Sequence, residues 1–372
     1  MRLRGVFLGW FLIMLFTASA SAEAPSPFAP PAKSKPRVVR LLALPEYFDR
    51  ASIDAFERES GIEVAYDVYE SYPAIAERWR DGPYDLAVLP GPEVARLAAS
   101  GGLQKLNRGK APNAKYVMAA VEAKMGVYDP SSTYSVPIAW YPTGLVYGPE
   151  AAKKLGGVPT SWGALFTPEA AMKAATCGLA VPDAPDELFI AAWRTLGVDP
   201  AKAGAFDVHR AAPLVLAAVT AARIWGEADG IAALAKGEAC LGLGTPLDAR
   251  LASRRGPGSG GPNEVYFVQP REGGPMAIDA FVVPRDAAHA DEAYLLMNSL
   301  LKPETASRNA ATIGLTSAEQ PGQEQALKQH WPVGAFNPAV GALVEQEWRM
   351  IRQTRVAPLP PPSFNRKKPK AK

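Results

Sequence analysis

Acidic and aromatic residues at predicted strand ends are the side chains of this sequence best placed to contact a solute. Glu46 and Tyr47 directly follow the first short apolar run, 38–44. In open parallel sheets, ligands bind beyond the carboxyl ends of the strands, so this pair fits the rim of a cleft. Asp279 lies inside the apolar run 278–283, where a carboxyl group is costly to bury without a partner. For Glu46 and Tyr47 the alternative is structural: Glu46 would be an acid favoured by the dipole at a helix N-terminus, and Tyr47 a half-buried tyrosine.

No set of side chains has the spacing of a known catalytic or metal site. The histidines at 209, 289 and 330 include no pair four residues apart and no Cys/His cluster. The sequence has no Gly-x-Ser-x-Gly motif. The glycine-rich run 256–262 carries two prolines and does not join a strand to a helix, so we interpret it as a flexible insertion. We therefore predict a protein that is not an enzyme and has no metal site or cofactor.

Apolar runs and helical periodicity alternate along the interior of the chain. The first part predicts a βαβαβ unit, which is typical of a parallel sheet covered by helices. Its elements are strands 38–44, 62–69 and 85–89 with helices 51–60 and 74–80. The later part predicts strands 178–182, 240–244 and 279–284 with helices 186–196, 212–224, 229–236 and 288–301. The sequence thus favours the α/β class, and a length of 372 residues suggests about two domains.

The termini carry the positive charge of the chain. The positive charge of the two arginines in 1–22 and the five cationic residues in 366–372 is larger than the formal net charge of +3 of the whole chain. The remaining residues therefore have a small net negative charge. A folded surface of that charge argues against a nucleic-acid partner. Residues 1–22 have a charged start, a short apolar core and the exit Ala20-Ser21-Ala22, which predicts a signal peptide cleaved after Ala22 and a periplasmic protein. Residues 23–36 are interpreted as a proline-rich spacer and 358–372 as a solvated proline-rich basic tail.

Several stretches, in order along about residues 38–318, resemble the periplasmic solute-binding proteins of the polyamine (spermidine/putrescine) type, the capture subunits of ABC importers. The stretches are Pro45-Glu46-Tyr47, 56–64 with 69–71, Tyr84-Asp85-Leu86, Thr160-Ser161-Trp162, Gly237-Glu238, 270–274, Asp279, 300–304 and Thr312-Ile313-Gly314. The resemblance implies a type II periplasmic binding protein with two lobes, a hinge of crossing strands and a ligand cleft that closes on binding. It places lobe 1 at 37–141 plus 279–318 and lobe 2 at 142–278 plus 319–357. It also implies a permease as partner, and we expect a monomer.

The same resemblance assigns candidate ligand residues. Glu46, Tyr47, Glu187 and Asp279 match acids and an aromatic residue of the family's cleft, although Glu187 could be an ordinary acid of a first helical turn. The family's aromatic box is mostly absent. Its tryptophan positions hold Leu44, Thr245 and Ala277, and a serine and tyrosine pair is replaced by Pro90 and Pro92.

Trp140 and Tyr141 could restore an aromatic wall, or they could pack in the hinge. The implied function is capture of a polyamine such as putrescine or spermidine. The alternatives are another small cationic or zwitterionic solute, and a two-lobed protein that serves as sensor or assembly partner of another periplasmic protein.

Two cysteines are present, and an exported chain permits one disulfide. The resemblance places Cys177 and Cys240 at the same end of neighbouring strands in the second lobe, and we expect them to be bonded. The alternative is a pair of small buried apolar residues.

Overall fold

A computed structural model describes residues 37–69, 74–255 and 264–354. The predicted signal peptide and its cleavage after Ala22, the spacer 23–36 and the tail 358–372 lie outside the described residues. So does the whole glycine-rich run 256–262. None of the helices in the described parts is both long and apolar enough to cross a membrane.

The described residues form two mixed sheets covered by helices. The strands are β1 (Arg37–Ala43), β2 (Ile62–Val68), β3 (Leu86–Pro90), β4 (Ser135–Pro142), β5 (Gly144–Tyr147), β6 (Leu179–Val181), β7 (Ile224–Trp225), β8 (Leu241–Gly244), β9 (Tyr266–Val268), β10 (Gly274–Val282), β11 (Thr316–Ser317) and β12 (His330–Pro332). The helices are α1 (Arg50–Ser60), α2 (Ile75–Asp81), α3 (Gly91–Ala99), α4 (Ala119–Met125), α5 (Pro149–Leu155), α6 (Gly163–Phe166), α7 (Pro168–Ala175), α8 (Pro185–Thr195), α9 (Ala205–Ala221), α10 (Glu227–Lys236), α11 (Pro246–Arg255), α12 (Ala290–Leu300), α13 (Pro303–Ile313), α14 (Glu324–Lys328) and α15 (Pro338–Thr354).

The first sheet has the strand order β11-β4-β10-β3-β1-β2, with β12 beside the start of β10. The predicted βαβαβ unit is confirmed, because β1 runs parallel to both β2 and β3. Helix α1 shows why this unit forms: Asp49 Oδ1 accepts from the Ala51 N–H at its start, and Gly61 ends it at φ 68°. The sheet as a whole is mixed, since β10 is antiparallel to β3 and β4.

The second sheet has the order β7-β6-β8-β5-β9, and β6 is parallel to β8 while β5 is antiparallel to it. Its core contains the fully buried indoles of Trp162 and Trp193. The predicted helix start at 212 is wrong, because α9 begins at Ala205 and contains Pro213. The Asp207 carboxylate accepts from the Gly204 N–H at 3.0 Å, so an N-terminal signal lies upstream of the proline.

Within the parts that the structure describes, the chain passes between the two lobes at three places. The first passage is at Thr143, between β4 and β5, and the second spans 269–273, between β9 and β10. The return strand therefore joins the first sheet upstream of Asp279. The third passage leads from β12 to α15, which packs on α8 and α9. Here Trp331 of β12 reaches the other lobe, where its indole donates to Asp199 Oδ1 at 3.0 Å.

The disulfide between Cys177 and Cys240 is confirmed, with the sulfur atoms 2.04 Å apart. Cys177 precedes β6, and Cys240 precedes the parallel neighbour β8. The bond therefore ties together the ends of these strands that lie away from Thr245.

Candidate functional site

Asp279 lies on β10, between β3 and β4 in the interior of the first sheet, and is fully buried. Its register partners are Pro90 at the carboxyl end of β3 and Ala139 on β4. The Tyr47 hydroxyl donates to Asp279 Oδ2 at 2.9 Å. The structure thus brings together the tyrosine at the exit of β1 and the acid of the return strand, two residues that are 232 positions apart in the sequence.

Two further tyrosines surround this carboxyl group. Burial, followed by the charge of Asp279, raises the pKa of Tyr69 and that of Tyr141 well above the usual value. The Tyr69 hydroxyl also donates to the Val88 carbonyl at 2.9 Å. The candidate residues chosen from the sequence omit Tyr69, although it follows β2 directly and the strand-exit rule that selected Tyr47 also selects it.

Burial raises the pKa of Asp279 to about 7, and the neighbouring hydroxyls of Tyr47 and Tyr141 oppose that rise. The other carboxyl oxygen, Oδ1, is buried without a hydrogen-bond partner. Near neutral pH this group is therefore partly protonated and partly ionised. A cation placed beside it favours the ionised form and supplies the missing partner.

The second lobe contributes two more carboxyl groups. Glu187 lies in the first turn of α8, and its Oε1 accepts from the buried Thr143 hydroxyl at 3.1 Å. Asp248 lies in the first turn of α11 and is 8% exposed. Thr245 donates to Asp248 Oδ2 through its N–H at 2.7 Å and its hydroxyl at 2.8 Å. Burial raises the pKa of Asp248, and these bonds from Thr245 oppose the rise.

Tyr141 lies near carboxyl groups of both lobes. After burial, the charges of Asp279, Glu187 and Asp248 all contribute to its raised pKa. Asp248 is missing from the residues chosen from the sequence, because an acid in a first helical turn has an ordinary dipole explanation. The sequence did offer one indication that Asp248 is a ligand residue, because it lies in the helical turn that directly follows the carboxyl end of β8.

Two of the ligand residues predicted from the sequence, Glu46 and Trp140, are not part of the buried group around Asp279. Glu46 is exposed and adopts φ 56°, a left-handed backbone that is uncommon for a residue other than glycine and is often found at functional sites. Trp140 alternates with Tyr141 along β4 and therefore points to the opposite face of the strand. There it packs against His330, with ring centroids 5.8 Å apart. The structure does not bring Trp140 to the carboxyl cluster.

The arrangement defines a class of protein: two α/β lobes joined by crossing strands, with carboxyl groups of both lobes near Tyr141. Within the described residues, no group of three or more potential ligands is arranged to hold a metal ion. The profile of the family described as "Bacterial extracellular solute-binding protein" matches residues 51–327. The chain belongs to this family.

Relatives with assigned ligands are similar over most of the chain. The putrescine-binding periplasmic protein PotF of Escherichia coli K12 is 31% identical over 290 residues, which cover 74% of this chain and 78% of the relative. A putrescine/agmatine-binding protein of Pseudomonas aeruginosa PAO1 is 28% identical over 310 residues, 81% of this chain and 84% of that protein. These relatives are binding proteins, as the sequence predicted for this chain, and not enzymes.

Solved structures of low identity share the fold. The spermidine/putrescine transporter binding protein PotD of Streptococcus pneumoniae superposes with a TM-score of 0.70 at 17% identity, covering 86% of this chain and 99% of that one. The binding protein AgtB of Agrobacterium tumefaciens R10, solved with agropinic acid, gives a TM-score of 0.61 at 15% identity, covering 86% and 98%. The two-lobed type II fold is thereby confirmed.

Proposed function

We propose that this protein captures a small polyamine, such as putrescine or spermidine, in the cleft and delivers it to the permease of an ABC importer. The observation that carries the proposal is the convergence of Asp279, Glu187 and Asp248 around Tyr141. Ammonium groups lose their hydration in a closed cleft, and each needs a carboxylate or an aromatic face as compensation. Carboxyl groups supplied by both lobes let a diamine bridge the lobes and favour the closed state.

The tyrosines support the same ligand class. Hydroxyl oxygens accept hydrogen bonds from ammonium groups, and tyrosine rings provide π faces for cations. Tyr47, Tyr69 and Tyr141 could therefore take over part of the role of the aromatic residues that Leu44 and Ala277 replace. The names of the relatives, which include putrescine, agmatine and spermidine, point to the same chemistry.

The proposal includes a location, an oligomeric state, two lobes and a set of ligand residues. The protein would act in the periplasm as a monomer after removal of residues 1–22. The lobe bounds implied by the resemblance, 37–141 plus 279–318 and 142–278 plus 319–357, would move to fit the strands, because β10 from Gly274 and β12 (His330–Pro332) lie in the first sheet. Glu46, Tyr47, Glu187, Asp279, Tyr141 and Thr245 would contact or position the solute, with Asp248 added and Trp140 acting through packing.

At least one of putrescine, agmatine and spermidine is expected to bind the purified protein in a calorimetric titration, and Asp248→Asn should weaken that binding by about tenfold or more. Glu169→Gln is the matched control, because Glu169 is exposed on α7 and forms a surface ion pair with Lys173. Its affinity should equal that of the wild type. A wild type that binds none of these amines but binds an amino acid, an opine or a sugar would refute the polyamine assignment. Equal loss in both variants would refute the role of Asp248.

Affinity for a cationic solute is expected to fall as the pH is lowered below 7, because Asp279 must lose a proton to pair with the cation. Asp279 has a pKa of about 7 in the free protein. Binding of one solute molecule should therefore release about three quarters of a proton from Asp279 near pH 6.5 and about a tenth of a proton near pH 8. Titrations in two buffers of different ionisation enthalpy measure this release. The same small release at both pH values would contradict the expectation.

A further inference from the structure

The ring of Tyr128 lies directly against the backbone at the start of α3. Gly91 is the first residue of that helix, and a Cβ atom there would stand 2.2 Å from Tyr128 Cδ2 and 2.3 Å from Cε2. Contacts this short do not occur in proteins, so residue 91 must be glycine for the ring to occupy this position. The packing therefore reserves the space over the N-terminus of α3 for an aromatic ring.

That space adjoins the proposed solute site. Pro90, the last residue of β3, is the register partner of Asp279 on β10, and Gly91 follows it. The ring of Tyr128 thus packs against Gly91, the residue that follows the register partner of Asp279. It occupies the carboxyl end of a parallel strand, where ligands of open α/β sheets bind.

The hydroxyl end of Tyr128 points towards the hinge and the second lobe. It donates to the carbonyl of Val333, in the passage between β12 and α15. Asp186 and Glu187 at the start of α8 are close enough to add to the effect of burial on the pKa of Tyr128, which is raised. The side chain therefore extends from the carboxyl end of β3 towards the start of α8, and its two ends contact different parts of the molecule, Gly91 and Val333.

We propose that Tyr128 forms the hinge-side end wall of the cleft and limits the length of the solute, so that the site selects short diamines over longer polyamines. This inference rests on the proposed function and adds a specificity determinant to it. A wall that is fixed at both ends excludes extra methylene groups by steric overlap, and a pocket commonly discriminates about tenfold or more per methylene in this way. The packing of the ring against Gly91 keeps it in place even without the hydroxyl group, and the ring itself supplies the bulk.

The test compares linear diamines of about three to eight carbon atoms, titrated into the wild type, Tyr128→Ala and Tyr128→Phe. The wild type should prefer the short members. In Tyr128→Ala the ratio of long-chain to short-chain affinity should rise by about tenfold or more, whereas Tyr128→Phe should keep the wild-type ratio. Thermal unfolding identifies a variant that does not fold, in which case Tyr128→Leu replaces the alanine variant.

The outcomes separate the two proposals. A wild type that binds short and long diamines equally, or an alanine variant with an unchanged ratio, overturns the end-wall role and leaves the proposed function standing. A wild type that binds no diamine contradicts the proposed function. In that case, gain of long-diamine binding in Tyr128→Ala supports the end wall, and absence of any gain overturns it.

Discussion

Replacement of Asp279 by asparagine is expected to abolish tight binding of a cationic solute while stabilising the ligand-free protein above neutral pH. Removing one partner of a buried charge pair typically costs 2–5 kcal/mol, so the affinity should fall by about a hundredfold or more. Calorimetric titration measures that loss. The opposite sign of the two effects distinguishes a ligand-binding acid from a structural one.

The expected gain in stability follows from the raised pKa. Burial lifts the pKa of Asp279 from 3.8 to about 7, so its contribution to stability is fully present below about pH 4 and is lost as the pH rises through about 7. The ionised group therefore lowers the free energy of unfolding at pH 8 by up to about 4 kcal/mol relative to a neutral side chain. Urea unfolding of the two proteins should show a difference that grows between pH 5 and pH 8.

Asp85→Asn is the matched control for this experiment. Asp85 is also a buried acid beside the first sheet, at 2% exposure, but its oxygens accept from the backbone N–H groups of Arg40 and His289 at 2.9 and 2.8 Å. Its replacement should destabilise the protein by about 1–3 kcal/mol and leave solute affinity unchanged. An Asp279→Asn variant that behaves in the same way would show that Asp279 has only a structural role.

Replacement of both Cys177 and Cys240 by serine is expected to lower the free energy of unfolding by about 4 kcal/mol. The bond joins residues 63 positions apart, and a closed loop of that size restricts the unfolded chain by about this amount. Solute affinity should change little, because Cys240 and Thr245 stand at opposite ends of β8.

Urea unfolding with and without reductant tests this expectation. Reductant should reduce the stability of the wild type to about that of the double variant and should leave the variant unchanged. A wild type that loses no stability on reduction of its disulfide would contradict the chain-entropy argument at this bond.

Part of the site could be found from the sequence because its signals are local. Tyr47 follows an apolar β-strand, and an acid inside an apolar run, as at Asp279, requires a partner wherever the chain folds. The resemblance to polyamine-binding proteins supplied Glu187 and the cysteine pair. Each of these inferences needed only a few neighbouring residues or a familiar order of motifs.

The residues that escaped the sequence reasoning are defined by contacts between distant segments. Asp248 looks like an ordinary acid of a first helical turn until Tyr141 is placed near it. Tyr128 looks like a core aromatic residue until its ring is found against Gly91. Trp140 and Tyr141 are adjacent in the sequence, and only the pairing of β4 with its neighbours decided which of them faces the carboxyl cluster.

The sequence by itself determined the α/β class, most of the helices and strands, the family and the chemical types around the site, because hydrophobic periodicity, glycine stops and motif order are local properties of the chain. The tertiary structure alone decided the antiparallel return strand, the passages between the lobes in the described residues and the placement of Asp279, Glu187 and Asp248 near Tyr141. Those features depend on strand register and on contacts across hundreds of residues. A one-residue change in register would turn every side chain of a strand to the other face, and the local pattern does not specify that register.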